Sequence, residues 1–310
     1  MSAIRSVAVL GAGAMGCLFA ARIAEIGADV VVVDVDPVRL AAIRQCGIAL
    51  SDDFGSRTVA VRAALASELR EAPDLIILFT KGMHSAAALA SVAHLREGRP
   101  AALTLQNGLG NAELLAAAFG EGRVVMGTAL IPADLTGPNA VSTHGFASIC
   151  LGPMSTEGAG IAEHIGALLC QARFSVTPRA DIIAAVWEKV AFNAALNAIA
   201  MICEVPNAGI DNAPGRRIAS AVARETVAVA AADGISLDLD GILASVDAAL
   251  REHRNHKASM LHDREAGRPS EIETINGAIT RQGIRLGVPT PVCDTLSDLV
   301  RIIEASHRTG

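Results

Sequence analysis

VAVLGAGAMG, residues 7–16, decides the fold of the first half of the chain. Its GxGxxG pattern follows a β-branched apolar run and opens an alanine-rich helical run. Gly11 permits a tight turn, Gly13 lets a pyrophosphate approach the backbone, and Gly16 lets the helix pack against the sheet. The helix N-terminus then points at the phosphates, so we predict a dinucleotide-binding turn. Its members are Gly11, Gly13, Ala14, Met15 and Gly16.

An acid ends the second predicted strand. Asp34 closes the run VVVVD, eighteen residues beyond Gly16. A carboxylate at this place can accept hydrogen bonds from both hydroxyls of the adenosine ribose. Since the same charge repels a ribose 2′-phosphate, Asp34 favours NAD(H) over NADP(H). The alternative is an acid that only ends a strand or caps the helix beginning at Pro37, and Asp36 is the better candidate for that cap.

Short apolar strands alternate with helical stretches in the first half, whereas the second half is helical throughout. Apolar strands separated by helices are typical of a parallel sheet covered on both faces. The expected strands are SVAVL (6–10), DVVVVD (29–34), DLIILF (74–79), AALTLQ (101–106) and RVVMG (123–127). The expected helices span 14–26, 37–45, 181–202, 213–232, 238–252, 269–286 and 291–306. We predict an α/β protein with an N-terminal Rossmann-type doubly wound sheet over residues 1–178 and an all-helical C-terminal domain over 179–310.

A stripe of polar residues runs along one of the predicted helices. VWEKVAFNAALNA, residues 186–198, places Lys189, Asn193 and Asn197 among apolar residues. Positions four apart drift by only about 40° around a helix, so the three side chains share one stripe. Apolar residues flank the stripe, unlike the broad polar face of a solvent-facing helix. Polar groups enclosed in this way need partners, either in the protein or in a ligand, and both alternatives stay open at this point.

The bulk composition argues against several classes of function. A formal net charge of −6 disfavours a nucleic-acid partner. The six cysteines show no CxxC and no metal-site spacing, so we predict reduced thiols, no metal and a cytoplasmic location. The N-terminus lacks the apolar run of a signal peptide, and no uninterrupted apolar stretch approaches the roughly 20 residues of a membrane span. We predict a soluble protein without a membrane partner, and a homodimer is compatible with the sequence.

Further motifs extend over nearly the whole chain. Besides the glycine turn they are FTKG (79–82), LQNGLGN (105–111), STHGFASICLG (142–152), WEKVAFNAALN (187–197) and SMLHDREAGRPSEIETINGAI (259–279). With these motifs the chain resembles the ketopantoate reductase (2-dehydropantoate 2-reductase) family. The resemblance implies hydride transfer between a nicotinamide and a small 2-oxo or 2-hydroxy acid. The expected reaction is the reduction of 2-dehydropantoate to pantoate in pantothenate biosynthesis.

The resemblance also implies a proton-transfer pair. Lys189 matches the family's general acid/base, and Glu271 matches the residue that orients this lysine or a substrate hydroxyl. A lysine among apolar walls has its charged form disfavoured, which brings its pKa toward the working range, whereas a substrate carboxylate acts in the opposite direction. We expect Lys189 and Glu271, which are 82 residues apart, to meet in the cleft between the two predicted domains.

Further roles are implied for residues that would bind the substrate and the cofactor. Asn193 and Asn197 match substrate contacts, and Ser259 matches the residue that holds the substrate carboxylate. Asn107 is expected beside both the nicotinamide and the substrate, although Asn107-Gly108 could be only a turn. Lys81 is expected near the cofactor, although it could be an ordinary surface lysine at a strand end.

Three departures from the family pattern leave the cofactor and the substrate open. Members generally use NADP(H) and carry a basic residue after the second strand, where this chain has Val35. His84 replaces a glutamine, and Cys293 replaces an asparagine. The first alternative function is therefore an NAD-dependent dehydrogenase of another 2-hydroxy acid. A non-enzymatic NAD-binding sensor is a remote alternative, which the intact Lys189 and Glu271 disfavour.

Overall fold

The computed structural model describes residues 4–145 and 147–307, so Phe146 of the STHGFASICLG motif lies outside the described residues. The chain divides into two compact units. The first comprises Met1–Gln106 and Asn111–Ile182, and the second comprises Asn107–Gly110 and Ile183–Gly310. The segment that carries Asn107 thus belongs to the helical unit. A domain boundary at residue 178 stays a prediction.

The first unit contains the strands of the structure. They are β1 (Ser6–Leu10), β2 (Asp29–Val33), β3 (Ile48–Asp52), β4 (Gly55–Val59), β5 (Arg62–Ala64), β6 (Leu75–Leu78), β7 (Ala101–Thr104), β8 (Val124–Leu130), β9 (Asp134–Gly137), β10 (Ala140–Ser142), β11 (Ser148–Pro153) and β12 (Val176–Pro178). Eight of them form one sheet in the order β12-β11-β8-β7-β6-β1-β2-β5. All neighbours in this sheet pair in parallel except β11 and β8, which are antiparallel.

The centre of the large sheet is buried on both faces. Ile76 and Ile77, consecutive in β6, point to opposite faces, and both are fully buried. β1 is buried in the same way, with Ala8 and Val9 at 0 % exposure. Continuous apolar strands form where helices cover both sides of a parallel sheet. The predicted α/β fold with an N-terminal parallel sheet and a helical C-terminal region is confirmed.

A second, four-stranded sheet was not predicted from the sequence. Its order is β4-β3-β10-β9, with β3 and β10 parallel and the other two pairs antiparallel. Its strands are short, and β4 and β9 are largely exposed and polar. A strand of this kind is stabilised by pairing with distant residues, so its own sequence carries little signal.

The helices of the first unit lie between its strands in the chain. They are α1 (Ala14–Glu25), α2 (Pro37–Cys46), α3 (Ser85–Ser91), α4 (Asn111–Phe119) and α5 (Ala159–Gln171), with 3₁₀ turns at Ala66–Glu68, Gly82–His84, Ala93–Gly98, Glu121–Arg123 and Thr156–Gly158. Asp36 caps α2, since its side chain accepts hydrogen bonds from the N–H groups of Val38 and Arg39. This is the role that the sequence indicated for Asp36 in preference to Asp34.

The second unit is helical. Its helices are α6 (Ile182–Cys203), α7 (Asn207–Ile210), α8 (Ala213–Ala232), α9 (Leu239–Glu252), α10 (Ser259–Glu265), α11 (Asn276–Leu286) and α12 (Pro291–His307). By length and composition alone, the 22-residue α6 could cross a membrane, a property that the sequence reading missed. In the fold, 67 % of its most apolar window is buried within the protein, as in a core helix.

The helix expected over residues 269–286 begins seven residues late. Residues 269–275 precede the helix, with turns at 272–275, and α11 starts only at Asn276. The carbonyl of Glu271 accepts hydrogen bonds from the N–H groups of Thr274 and Ile275, and the Ser270 hydroxyl accepts one from the N–H of Ile272. A side-chain bond such as that of Ser270 competes with helix formation, and Glu271 lies at the start of the turn.

Candidate functional site

The glycine turn between β1 and α1 is held by close contacts of the backbone. Gly11 has φ +103°, and its N–H donates to the Val33 carbonyl at 2.8 Å. A Cβ at Gly11 would lie 2.8 Å from the backbone of Phe79 and Thr80. A Cβ at Gly16 would lie 1.8 Å from the Gly11 carbonyl oxygen. Only glycine fits these two positions, as the predicted turn and helix packing require.

The third glycine of the turn faces open space. A Cβ at Gly13 would meet no atom within 4 Å among the described residues. Gly13 is also the N-cap of α1, where no described side chain caps the helix. The first N–H groups of a helix lack partners within the helix and attract anions. The turn at Gly13, Ala14 and Met15 therefore has the room and the donors that a pyrophosphate requires.

Asp34 is tied to the backbone around the turn. Its carboxylate accepts hydrogen bonds from the N–H groups of Ala12 (2.6 Å), Val35 (2.7 Å) and Asp36 (2.9 Å). The bond to Ala12 joins the acid to the glycine turn. The next side chain, Val35, is 87 % exposed and carries no charge. A fixed carboxylate with a neutral, exposed neighbour suits a ribose with two free hydroxyls.

A polar network that the sequence reading overlooked lies where β6 and β7 end. The side-chain amide of Gln106 donates to the carbonyl of Thr80 and to the hydroxyl of Ser85. The Ser85 hydroxyl in turn donates to the Asn111 side chain at 2.9 Å. Lys81 is the N-cap of the 3₁₀ turn that follows β6. It is half-buried and follows Thr80 of this network in the sequence. Gln106 and Asn111 both lie in the LQNGLGN motif, so this motif was the sequence signal from which the network could have been found.

The stripe on α6 runs from partly exposed to buried. Lys189 and Asn193 are half-buried, whereas Asn197 is 6 % exposed. Burial lowers the pKa of the Lys189 ammonium from 10.5 to about 8, and the charge of Glu271 acts in the opposite direction. A lysine with this pKa exchanges its proton near neutral pH, as a general acid/base must.

Glu271 is brought to the stripe and to Asn107 by the second unit. Its charge acts on Lys189, and its carboxylate accepts a hydrogen bond from the Asn107 amide at 3.3 Å. The Asn107 segment is fixed by the N–H of Leu109, which donates to the Thr274 carbonyl at 2.8 Å. A Cβ at Gly108, which has φ +89°, would lie 2.3 Å from the same carbonyl oxygen. Gly108 thus permits the close approach that brings Asn107 to Glu271.

Ser259 joins the same group of residues from α10. The Asn197 amide donates to the Ser259 hydroxyl at 3.3 Å, and Ser259 itself is exposed. The second unit therefore links Lys189 to Glu271, Glu271 to Asn107, and Asn197 to Ser259. Asn193 lies on the stripe between Lys189 and Asn197.

The remaining sequence departures lie apart from these contacts. His84 is exposed at the end of its 3₁₀ turn. Cys293 is fully buried at the start of α12, where its N–H donates to Glu225 and burial raises the pKa of its thiol. Residues 4–145 and 147–307 contain no cluster of three His, Cys, Asp or Glu residues that could hold a metal ion.

Two family models match the chain. Residues 7–156 match "Ketopantoate reductase PanE/ApbA", and residues 181–304 match "Ketopantoate reductase PanE/ApbA C terminal". A 2-dehydropantoate 2-reductase of Archaeoglobus fulgidus is 31 % identical over 303 residues, which cover 97 % of this chain and 99 % of that protein. One from Streptococcus pyogenes serotype M3 is 28 % identical over 301 residues, covering 96 % and 98 %.

Solved structures with the same fold cover both units. A ternary structure of D-mandelate dehydrogenase with NADH and anilino(oxo)acetate is 27 % identical, with a TM-score of 0.92 over 98 % of this chain and 99 % of that one. A 2-dehydropantoate 2-reductase from Geobacter metallireducens GS-15 is 29 % identical, with a TM-score of 0.88 over 96 % of this chain and 99 % of that one.

Proposed function

The chain belongs to the ketopantoate reductase family, and on that premise we propose that it reduces 2-dehydropantoate to pantoate. A bound nicotinamide would supply a hydride to the carbonyl carbon at position 2 and would be oxidised in doing so. Lys189 donates a proton to the carbonyl oxygen, so that the 2-oxo acid becomes a 2-hydroxy acid and the lysine is left neutral.

The observation that carries the proposal is the state of Lys189. With its pKa at about 8, the ammonium is largely protonated at pH 7 and yet gives up its proton readily. Glu271 faces this charge from a turn 82 residues away in the chain. Burial, which lowers the pKa of Lys189, outweighs the charge of Glu271, which raises it. The net lowering supports a role in proton transfer.

The polar groups around Lys189 suit a small acid. Ser259 is exposed and contacts Asn197, which supports a role for both in holding the substrate, with Ser259 on its carboxylate. Asn193 presents an amide one helical turn from Lys189. Asn107, bonded to Glu271, presents a further amide. We infer that these amides and the hydroxyl orient the acid so that its carbonyl oxygen lies within reach of Lys189.

We also propose that the cofactor is NAD(H). The carboxylate of Asp34 is fixed by three N–H groups, and exposed Val35 stands where the family carries a basic residue. The open space at Gly13 supports pyrophosphate binding at the turn, and Lys81 is a further candidate cofactor contact. The similar D-mandelate dehydrogenase was solved with NADH. NADP(H) is the alternative.

We propose that the reaction takes place in the cytoplasm and that the binding partner is its small-molecule acid substrate. The net charge of −6 is unsuited to nucleic acid. Burial of most of the apolar window of α6 inside the protein supports the absence of a membrane partner. The homodimer stays a prediction. Light scattering of the purified protein would test it by measuring the molar mass in solution.

Steady-state kinetics with four cofactor forms test the proposal. NADH and NADPH are compared with 2-dehydropantoate, and NAD⁺ and NADP⁺ with pantoate and a panel of other 2-hydroxy acids. We expect the highest kcat/KM with NADH and 2-dehydropantoate, and the Lys189→Met variant provides the background rate of the preparation. A higher kcat/KM for another 2-oxo or 2-hydroxy acid would show that 2-dehydropantoate is not the preferred substrate. A higher kcat/KM with NADPH would overturn the cofactor preference alone.

A further inference from the structure

One side chain of α11 reaches across to the helix that carries the stripe. Asn276, with 0 % exposure, donates a hydrogen bond from its amide to the main-chain carbonyl of Ala194 at 3.1 Å. Ala194 stands next to Asn193 on α6 and three residues before Asn197. A carbonyl within a helix has a second lone pair, so this bond can form without breaking the helix. It fixes α11 against the functional part of α6.

Asn276 is also close in the chain to the turn that carries Glu271. The Ile275 N–H donates to the Glu271 carbonyl at 3.1 Å, as does the Thr274 N–H. The segment from Glu271 to Asn276 is therefore short and bonded internally. Asn276 holds the end of this segment against α6, at the carbonyl of Ala194.

Two buried oxygens accompany the bond. Among the described residues, the carboxamide oxygen of Asn276 and the hydroxyl of Thr280 have no hydrogen-bond partner. Thr280 is 8 % exposed and lies one helical turn after Asn276, on the same face of α11. An unpaired buried polar group is costly, and internal waters commonly satisfy such groups when two or more polar atoms converge.

We propose that Asn276 is a positioning residue for the reaction and that, with Thr280 and one internal water, it forms a buried polar bridge holding the Glu271 turn against α6. The water donates to the Asn276 oxygen and accepts from the Thr280 hydroxyl. The bridge rigidifies the start of α11, and Glu271 keeps its distance to Lys189. The role in the reaction rests on the proposed function, whereas the buried bridge between the Glu271 turn and α6 does not depend on it.

The kinetic test compares two buried asparagines of the same unit. Asn207 is 2 % exposed and donates its amide to the carbonyls of Ala249 and His253 on and after α9, both at 3.1 Å. Asn276→Leu and Asn207→Leu remove similar bonds at similar burial. We expect kcat with 2-dehydropantoate to fall roughly 10- to 100-fold for Asn276→Leu, as for a small misplacement of catalytic groups, and less than about twofold for Asn207→Leu. Equal losses in both variants would reduce Asn276 to an ordinary core residue.

A second readout needs no turnover. The chain has only three lysines, Lys81, Lys189 and Lys257, so NMR of ¹³C-lysine-labelled protein resolves their titrations, and Lys189→Met assigns one. Since the charge of Glu271 raises the pKa of Lys189, Asn276→Leu should move that pKa further down, and Asn207→Leu should leave it unchanged. An unchanged Lys189 pKa in folded Asn276→Leu overturns the positioning role. Loss of the proposed function would instead appear as a wild type inactive on 2-dehydropantoate with the pKa difference intact.

The direction in which the melting temperature of Thr280→Val changes tests whether the internal water is present. Thr280→Val has nearly the same shape and lacks the hydroxyl. If the hydroxyl holds a water, the variant melts lower by a few degrees; if the hydroxyl is unpaired, the variant melts at the same temperature or higher, and the bridge loses its water. Should Asn276→Leu not fold, Asn276→Ser, which is too short to reach Ala194, replaces it in both measurements.

Discussion

The glycine turn of the first unit and the lysine stripe of the second are built in opposite ways. The turn is made of backbone, since Gly11 and Gly16 are fixed by atoms within 3 Å of where a Cβ would lie, and Asp34 is bonded to three N–H groups. The stripe is made of side chains of α6, and its partners are side chains from α10 and two turns. The functional groups of the glycine turn therefore lie within the first 34 residues, whereas the stripe and its partners come from distant parts of the chain.

This difference teaches where damage should appear in each region. A change at a closely packed backbone position of the turn, such as Gly16, deforms the fold around it, so that stability and binding change together. A change in a site made of side chains can remove the chemistry and leave the packing of the helix intact. The stripe should consequently tolerate substitutions that the turn does not, and the following predictions test this contrast.

The largest effect is expected from Lys189→Met. Loss of a general acid/base should lower kcat by roughly 10² to 10⁴, while NADH binding changes little. Because the pKa of Lys189 is lowered by burial, the fold disfavours its charged form below pH 8, and removing that charge should leave the melting temperature close to that of the wild type. Single-turnover hydride transfer and a melting curve on the same sample measure both. A stable variant that retains most of the rate would remove Lys189 from the mechanism.

The next largest effect concerns Asp34. Asp34→Ala removes a charged acceptor of two ribose hydrogen bonds. This loss should cost about 2 to 4 kcal/mol of transition-state stabilisation, measured from kcat/KM with NADH, and the variant should also lose the repulsion of NADPH. Asp34→Asn keeps an acceptor for the Ala12 N–H and so separates loss of charge from deformation of the turn.

The matched control for Asp34 is Asp36→Ala. It removes the cap of α2 and should cost about 1 kcal/mol of stability with no change in the ratio of kcat/KM for NADH to that for NADPH. An equal change of this ratio in the Asp34 and Asp36 variants would contradict a specific role for Asp34.

Two glycines of the turn should respond differently to alanine. Gly16→Ala meets the Gly11 carbonyl and should lower the free energy of unfolding by roughly 1 to 3 kcal/mol. Gly13→Ala meets open space, so we expect an unchanged melting temperature and an NADH Kd raised roughly tenfold, since the methyl group occupies room needed by the pyrophosphate. Fluorescence titration and thermal melts measure the pair. Unchanged NADH binding in Gly13→Ala would place the phosphates elsewhere.

The last effect is the dependence of kcat/KM on pH. Reduction requires protonated Lys189, and kcat/KM follows the pKa of the free enzyme, so kcat/KM should be level well below the pKa of about 8 and fall about 15-fold between pH 8 and pH 9.5. Oxidation of pantoate requires the neutral lysine, so its kcat/KM should rise with pH over the same range. Profiles in both directions, compared with Asp36→Ala as a variant outside the site, measure the shift. Parallel profiles in the two directions would contradict a single acid/base group.

The central strands and the helical unit could be predicted because their signals are local. β1, β2, β6 and β7 lie within the predicted limits, β8 starts within them and continues to Leu130, and α8 has the predicted bounds. The four-stranded sheet could not be predicted, since β3 pairs with β10, about ninety residues along the chain, and neither strand has a long apolar run.

The candidate site was predictable to different depths. The turn and Asp34 follow from spacing, and the stripe on α6 follows from helical periodicity. The electrostatic interaction of Glu271 with Lys189 could be expected only from the resemblance to a family, because the sequence around either residue does not indicate the other. The network of Gln106, Ser85 and Asn111 and the bond of Asn276 to Ala194 depend on the packing of distant segments, which no local pattern specifies.

The bond between Ala12 and Asp34 constrains how this chain could evolve. Replacing Asp34 by a residue without a side-chain acceptor would leave the buried Ala12 N–H without a partner for this bond. A lineage moving toward NADP would therefore pass through a less stable ancestor if it lost the acid first. Gaining a basic residue at exposed Val35 first avoids that step. The order of the two mutations, and not either alone, would decide whether natural or laboratory selection can change the cofactor.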